Sequence, residues 1–204
     1  LKRIGVKDEN IFFVGNTMID TLIKNIPYLK PPSFFKNGGF EKGKYIVLTI
    51  HRPQNVDDSE KFSQLIRILS TSCNEIPIIF PIHPRTFKNV NRIEKFPENI
   101  FIIDPQPYLE FNYLIKNSMG VITDSGGITE ETTYLGVPCL TLRDNTERPE
   151  TISIGTNELI GTNPKHIQEA IKKLKNNQWK KGEIPQLWDG ETAKRIVDKL
   201  EILL

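Results

Sequence analysis

From Lys44 onward the chain repeats one pattern: a short apolar run, a polar turn, then a helix-length stretch with its apolar residues on one side. The apolar runs are Tyr45–Ile50, Pro77–Ile82, Asn99–Ile103, Gly120–Asp124, Pro138–Leu142 and Glu158–Ile160. Between them fall helical stretches. Asp58 and Ser59 cap one that runs through Leu69, with Phe62, Leu65, Ile66 and Leu69 on one side. Further helices are expected up to about Ile93 after the loop His83-Pro84-Arg85-Thr86, at Tyr108–Asn117, at Ile128–Leu135 and at Pro164–Lys175. A closing helix is expected over Glu191–Leu204, after an irregular stretch from Trp179 to Asp189. Strands too apolar to face water, alternating with helices, predict a parallel sheet covered on both faces. The expected fold is α/β, a Rossmann-like, doubly wound parallel sheet of about six strands.

The first 43 residues do not follow the pattern. Asn10–Asn16 reads as a short strand ending in a turn, and Met18–Ile26 has helical apolar spacing. Prolines 27, 31 and 32 and Asn37-Gly38-Gly39 then read as loop. Residues 1–43 are therefore expected to be a lead-in or hinge outside the core. The chain opens on Leu1 without a methionine and is expected to be one part of something larger.

Composition narrows the partners. A net charge of +2 with dispersed lysines argues against nucleic acid or a membrane surface. Nothing resembles a membrane span or a signal peptide. The two cysteines, Cys73 and Cys139, sit in apolar surroundings and read as buried free thiols, which fits the cytoplasm. They form no metal motif, and no cofactor is expected.

In an open α/β sheet, ligands bind beyond the carboxyl ends of the strands. The segments found there are His51-Arg52, His83-Pro84-Arg85, Asp104-Pro105-Gln106-Pro107, Asp124-Ser125-Gly126-Gly127 and Arg143-Asp144. The Ser-Gly-Gly turn carries the sharpest chemistry. It joins a strand to a helix whose first N–H groups are unpaired and whose dipole favours an anion. Glycines there let a phosphate approach the backbone. The turn is neither a dinucleotide fingerprint, nor a P-loop, nor a nucleophile elbow.

Plainer readings stand beside these. His51 can cap a turn next to Asn55, and Glu131 can merely suit the helix dipole. Arg148 can pair with Glu147 and Glu150 on the surface. Phe111 shares an apolar helix face with Leu114 and Ile115, so spacing alone makes it core. His83 is evenly balanced, and His166 reads as a solvated surface residue.

Five segments together resemble the non-hydrolysing UDP-N-acetylglucosamine 2-epimerase family. Val14-Gly15-Asn16-Thr17-Met18-Ile19-Asp20 is similar to the family's interdomain V-G-N-T-V-I-D, and Thr49–Asn55 to its T-x-H-R-x-E-N. Pro81–Thr86 is similar to P-V-H-P-R-T and Asp124–Glu131 to D-S-G-G-I-Q-E-E. Gly136–Pro149 resembles G-x-P-x-L-x-x-R-x-x-T-E-R-P. The match covers nearly the whole chain.

The resemblance implies a two-domain GT-B architecture with this chain as the UDP-binding half. Residues 1–43 would be the end of an N-terminal domain and the hinge, 44–189 the UDP-binding domain and 190–204 a closing helix. It implies inversion at the sugar C2 by elimination and re-addition of UDP, giving UDP-N-acetylmannosamine. By position, Ser125, Gly126, Gly127 and Glu131 match diphosphate and ribose contacts, Phe111 an aromatic beside uracil, and Arg148 a UDP-binding arginine. His51 matches a histidine required for activity, and Arg52 and His83 match the interdomain face. The expected partners are the UDP-sugar, an N-terminal catalytic half and, in the full-length protein, a second copy forming a homodimer. Pro53-Gln54 departs from the family pattern, which has a residue followed by Glu, and Thr129 and Thr132 replace Gln and Ala. A GT-B glycosyltransferase domain and a non-catalytic nucleotide-sugar binding module are the alternatives.

Overall fold

The computed structural model describes residues 1–90, 93 and 95–203. In chain order the elements are α1 (Thr17–Asn25), α2 (Ser33–Asn37), β1 (Ile46–Thr49), α3 (Pro53–Val56), α4 (Ser59–Cys73) and β2 (Ile78–Pro81). Then follow α5 (Pro84–Val90), β3 (Ile100–Ile103), α6 (Tyr108–Lys116), β4 (Gly120–Thr123), α7 (Gly126–Leu135) and β5 (Cys139–Thr141). The chain closes with α8 (Pro149–Ser153), β6 (Asn157–Leu159), α9 (Pro164–Lys175) and α10 (Thr192–Leu203).

The six strands among the described residues pair in parallel, in the order β3-β2-β1-β4-β5-β6. This is the doubly wound Rossmann-type order, as the alternation of runs predicts. Successive side chains of a strand point to opposite faces, so each strand feeds two cores. Ile46, Leu48, Ile50, Ile78, Phe80 and Ile122 pack on one face with Phe62, Ile66 and Leu69 of α4 and Ile167 and Ile171 of α9. Tyr45, Val47, Ile79 and Val121 pack on the other with Leu114 and Ile115 of α6. Each such buried side chain is worth about 1.5–3 kcal/mol.

Three expectations change. Asn10–Asn16 forms no strand: backbone at Ile11 and Asn16 is extended, but the stretch pairs with no strand of the sheet, and Phe13 is exposed. Residues 1–43 are not all outside the core, because Ile19 and Leu22 of α1 bury against Trp188, and Phe35 of α2 joins the aromatic cluster around Tyr45. The polar stretches after β1 and β2 are helical, since Pro53 and Pro84 each open a helix. Proline at the first helical position loses no hydrogen bond there and has the right φ preset. The helix expected to reach about Ile93 spans Pro84–Val90, and positions 91, 92 and 94 lie outside the described residues, as does Leu204 of the closing helix.

Strand order reverses between β1 and β4: from β1 successive strands are added on one side, as β2 and β3, and from β4 on the other, as β5 and β6. The crevice at such a switch point is where this fold places ligands.

Candidate functional site

At the switch point the last residues of β1 and β4 stand side by side. Thr49 and Thr123 are register partners, their hydroxyl oxygens are 2.6 Å apart, and Thr123 Oγ1 accepts from the Ser125 N–H at 2.9 Å. Next in the chain is Asp124, whose side chain is wholly buried. Its carboxylate accepts from the backbone N–H of His51 (3.1 Å) and of Arg52 (2.9 Å), from Asn55 Nδ2 (3.0 Å) and from His51 Nδ1 (3.0 Å). Arg52 Nε donates to the Asp124 carbonyl at 3.1 Å. Burial alone would push the Asp124 carboxyl up, but the bonds from His51, Asn55 and Arg52 outweigh it and hold it below the ordinary range. One carboxylate thus fixes the whole turn after β1. His51 donates through Nδ1, leaving Nε2 for a ligand.

His51, His83, Phe111 and Ser125 line one cavity of about 230 Å³, with Ile128 and Pro105 among its other walls. The two imidazole rings lie 5.4 Å apart. His83 Nδ1 accepts from the Arg85 N–H, so its proton is on Nε2. Phe111 is half-buried: it packs on the core around Leu114 and also lines the cavity.

Helix α7 begins at this cavity. Asn16, Asp58 and Asn163 cap α1, α4 and α9 with side-chain bonds, whereas Ser125, at the same position on α7, makes none. The first-turn donors of α7 thus have no side-chain cap. A Cβ at Gly127 would meet nothing within 4 Å, and φ there lies outside the left-handed region, so neither backbone nor packing requires glycine. A Cβ at Gly126 would lie 3.7 Å from Glu147 Oε2 and 3.9 Å from an Arg143 terminal nitrogen.

Arg143 follows β5, is 4% exposed, and grips Glu147 through both terminal nitrogens at 2.9 and 2.7 Å. That pairing holds the Glu147 carboxyl down to about 2. The two glutamates of α7 diverge. Glu131 turns to α6, where Asn112 Nδ2 (3.4 Å) and Tyr108 bond to it, and burial pushes its carboxyl above the ordinary range despite those donors. Glu130 accepts from Arg148 Nε at 2.6 Å and from Asn16 Nδ2 at 2.7 Å. Arg148 thereby lines a second, larger cavity of about 570 Å³ with Asn16, Thr17, Glu130 and Trp188.

The structure therefore gathers His51, His83, Phe111 and Ser125 at one opening and sets Arg148 at another, across the first turns of α7. Arg52 folds back onto Asp124. The sequence assigns no ligand role to Asn55, Glu130 or Asn16, and it offers Asp124 and Arg143 only as members of strand-end segments. For Asp124 a signal existed, its place directly after a strand beside Ser125. For Asn16 and Glu130, separated by 114 positions, no local signal exists.

This fold and this crevice define a Rossmann-like α/β domain with a polar site at the topological switch point. The family model described as UDP-N-acetylglucosamine 2-epimerase matches residues 1–201, and the chain belongs to that family. It is similar to the UDP-N-acetylglucosamine 2-epimerase of Methanococcus maripaludis, at 41% identity over 95% of this chain and 55% of the relative. Similarity to the Escherichia coli K12 enzyme of the same name is 32%, over 98% of this chain and 57% of the relative. Among solved structures, that of Methanocaldococcus jannaschii UDP-GlcNAc 2-epimerase in complex with UDP-GlcNAc and UDP superposes with a TM-score of 0.81 at 36% identity, covering 97% of this chain and 57% of that one. The chain thus spans a little over half the length of these relatives. No helix among the described residues is long and apolar enough to cross a membrane.

Proposed function

We propose that this chain is the UDP-binding half of a UDP-N-acetylglucosamine 2-epimerase of GT-B architecture. With an N-terminal half it would interconvert UDP-N-acetylglucosamine and UDP-N-acetylmannosamine by eliminating UDP and adding it back. The observation that carries this is the switch-point cavity, where His51, Phe111 and Ser125 meet beside an uncapped helix N-terminus. The solved complex of a relative with UDP-GlcNAc and UDP supports the same ligand class.

In this reading the Ser125 hydroxyl and the backbone N–H groups at Gly126 and Gly127 hold the diphosphate, whose charge grows as the bond to the sugar breaks. Phe111 lies against the uracil, Glu131 accepts from ribose hydroxyls and Arg148 binds phosphate oxygens. His51 donates from Nε2 to the departing phosphate when protonated. Arg52 and His83 face the other half across the cleft. Residues 1–43 then belong to the end of the N-terminal domain and the hinge, 44–189 to the UDP domain, and 190–204 to the closing helix. The full-length protein is a homodimer, and the buried free thiols of Cys73 and Cys139 support the reducing cytoplasm as its compartment.

NMR of UDP-N-acetylglucosamine in deuterated water tests this. The protein with its N-terminal half should produce the C2 epimer with deuterium at C2, and this chain alone should produce none. Release of UDP without any epimer, or epimerisation by this chain alone, would overturn the assignment.

A further inference from the structure

We propose that Glu130 is a positioning residue that presents Arg148 end-on to the diphosphate, with Asn16 completing the clamp. The inference rests on Arg148 being a phosphate ligand, as proposed above.

A guanidinium has five donors in a planar fork. In Arg148 the Nε donor is taken by Glu130 Oε1 at 2.6 Å. One terminal nitrogen makes only a long bond, 3.3 Å, to the Glu147 carbonyl. The side chain is still 46% exposed, on the wall of the 570 Å³ cavity. Held at Nε, an arginine leaves its two terminal nitrogens as the free edge, and that edge matches two phosphate oxygens. A loose arginine would instead lose rotamer freedom on binding.

Glu130 is itself immobilised. Its side chain is 3% exposed on α7, and Asn16 Nδ2 donates to the same Oε1 at 2.7 Å. Asn16 is fixed in turn, since its Oδ1 caps α1 by accepting from the Met18 N–H at 2.9 Å. The residue before it, Gly15, has φ +114°, and a Cβ there would come within 2.5 Å of the Leu187 carbonyl oxygen and of Thr192 Oγ1. The anchor of Arg148 therefore reaches through α7 into the base of α1 and the start of α10.

The test compares UDP with uridine, which lacks the phosphates, on this chain and its variants by titration calorimetry and NMR. Arg148→Ala should weaken UDP by roughly ten- to a hundredfold, the range of one or two charge-assisted hydrogen bonds, and leave uridine unchanged. Glu130→Ala should cost as much for UDP, spare uridine, and add nothing on top of Arg148→Ala. Glu130→Gln keeps an acceptor oxygen and should stay within about threefold of the parent. UDP affinity retained in Glu130→Ala but lost in Arg148→Ala would overturn the role of Glu130 alone. Parallel loss of UDP and uridine in Glu130→Ala would reduce Glu130 to a folding role and overturn it too. Unchanged UDP affinity in Arg148→Ala would overturn the phosphate reading of Arg148 and this inference with it.

Discussion

Asp124 Oδ1 lies 3.0 Å from His51 Nδ1, and this contact joins the end of β4 to the turn after β1 across the switch point. The buried carboxylate accepts as well from two backbone N–H groups and from Asn55. Replacing it by Asn would set an amide against donors. Asp124→Asn should therefore destabilise the fold by about 1–3 kcal/mol, read by urea unfolding. The folded carboxyl lies below its ordinary value. Its stabilisation is thus complete above the unfolded pKa of roughly 4 and is lost as pH falls through the folded value. The parent should lose stability on acidification below about pH 4 more steeply than Asp124→Asn.

Gly127→Ala separates folding from binding. The added methyl meets no atom within 4 Å, and the backbone there is not left-handed. Thermal unfolding should be unchanged or slightly later, since Ala is the better helix former. UDP affinity should fall at least about tenfold if phosphate occupies that space. Equal UDP affinity would show the space to be unused.

Glu131→Gln should trade stability against binding. Burial raises the Glu131 carboxyl, so its ionised form costs free energy in the folded state. The sign is opposite to that of Asp124: parent stability declines as pH rises through the raised pKa. At neutral pH Glu131→Gln should melt later than the parent, with the difference vanishing toward about pH 4, while UDP binds more weakly. A lower melting temperature at pH 7 would show that the bonds from Asn112 and Tyr108 outweigh the burial cost.

The sheet was legible because the alternation that defines it is local: Tyr45–Ile50 and Pro77–Ile82 differ from β1 and β2 by one residue or so at each end. The Asn10–Asn16 strand was not, because an extended segment becomes a strand only beside a partner, and pairing is not written in so short a stretch. Pro84 lies in a segment the sequence reads as loop, yet it opens a helix, as does Pro53, and Arg52, His83 and Arg148 each stand immediately before such a proline. At the site, Ser125, His51 and Phe111 were legible from strand ends and family pattern. Glu130 and Glu131 look alike in the sequence, and only the partners they meet, Asn16 for one and Asn112 for the other, tell them apart. Asp124 stood in the right motif, but its task of holding His51, 73 positions away, and Arg52 depends on β1 and β4 being neighbours.

The central claim, that the switch-point crevice of this chain is a UDP site, is tested most directly by titrating UDP into the 204-residue chain in a calorimeter. The account predicts saturable binding at one site per chain, abolished or weakened at least about tenfold by Arg148→Ala. No heat and no NMR shift with UDP, from a chain shown to be folded, would contradict it.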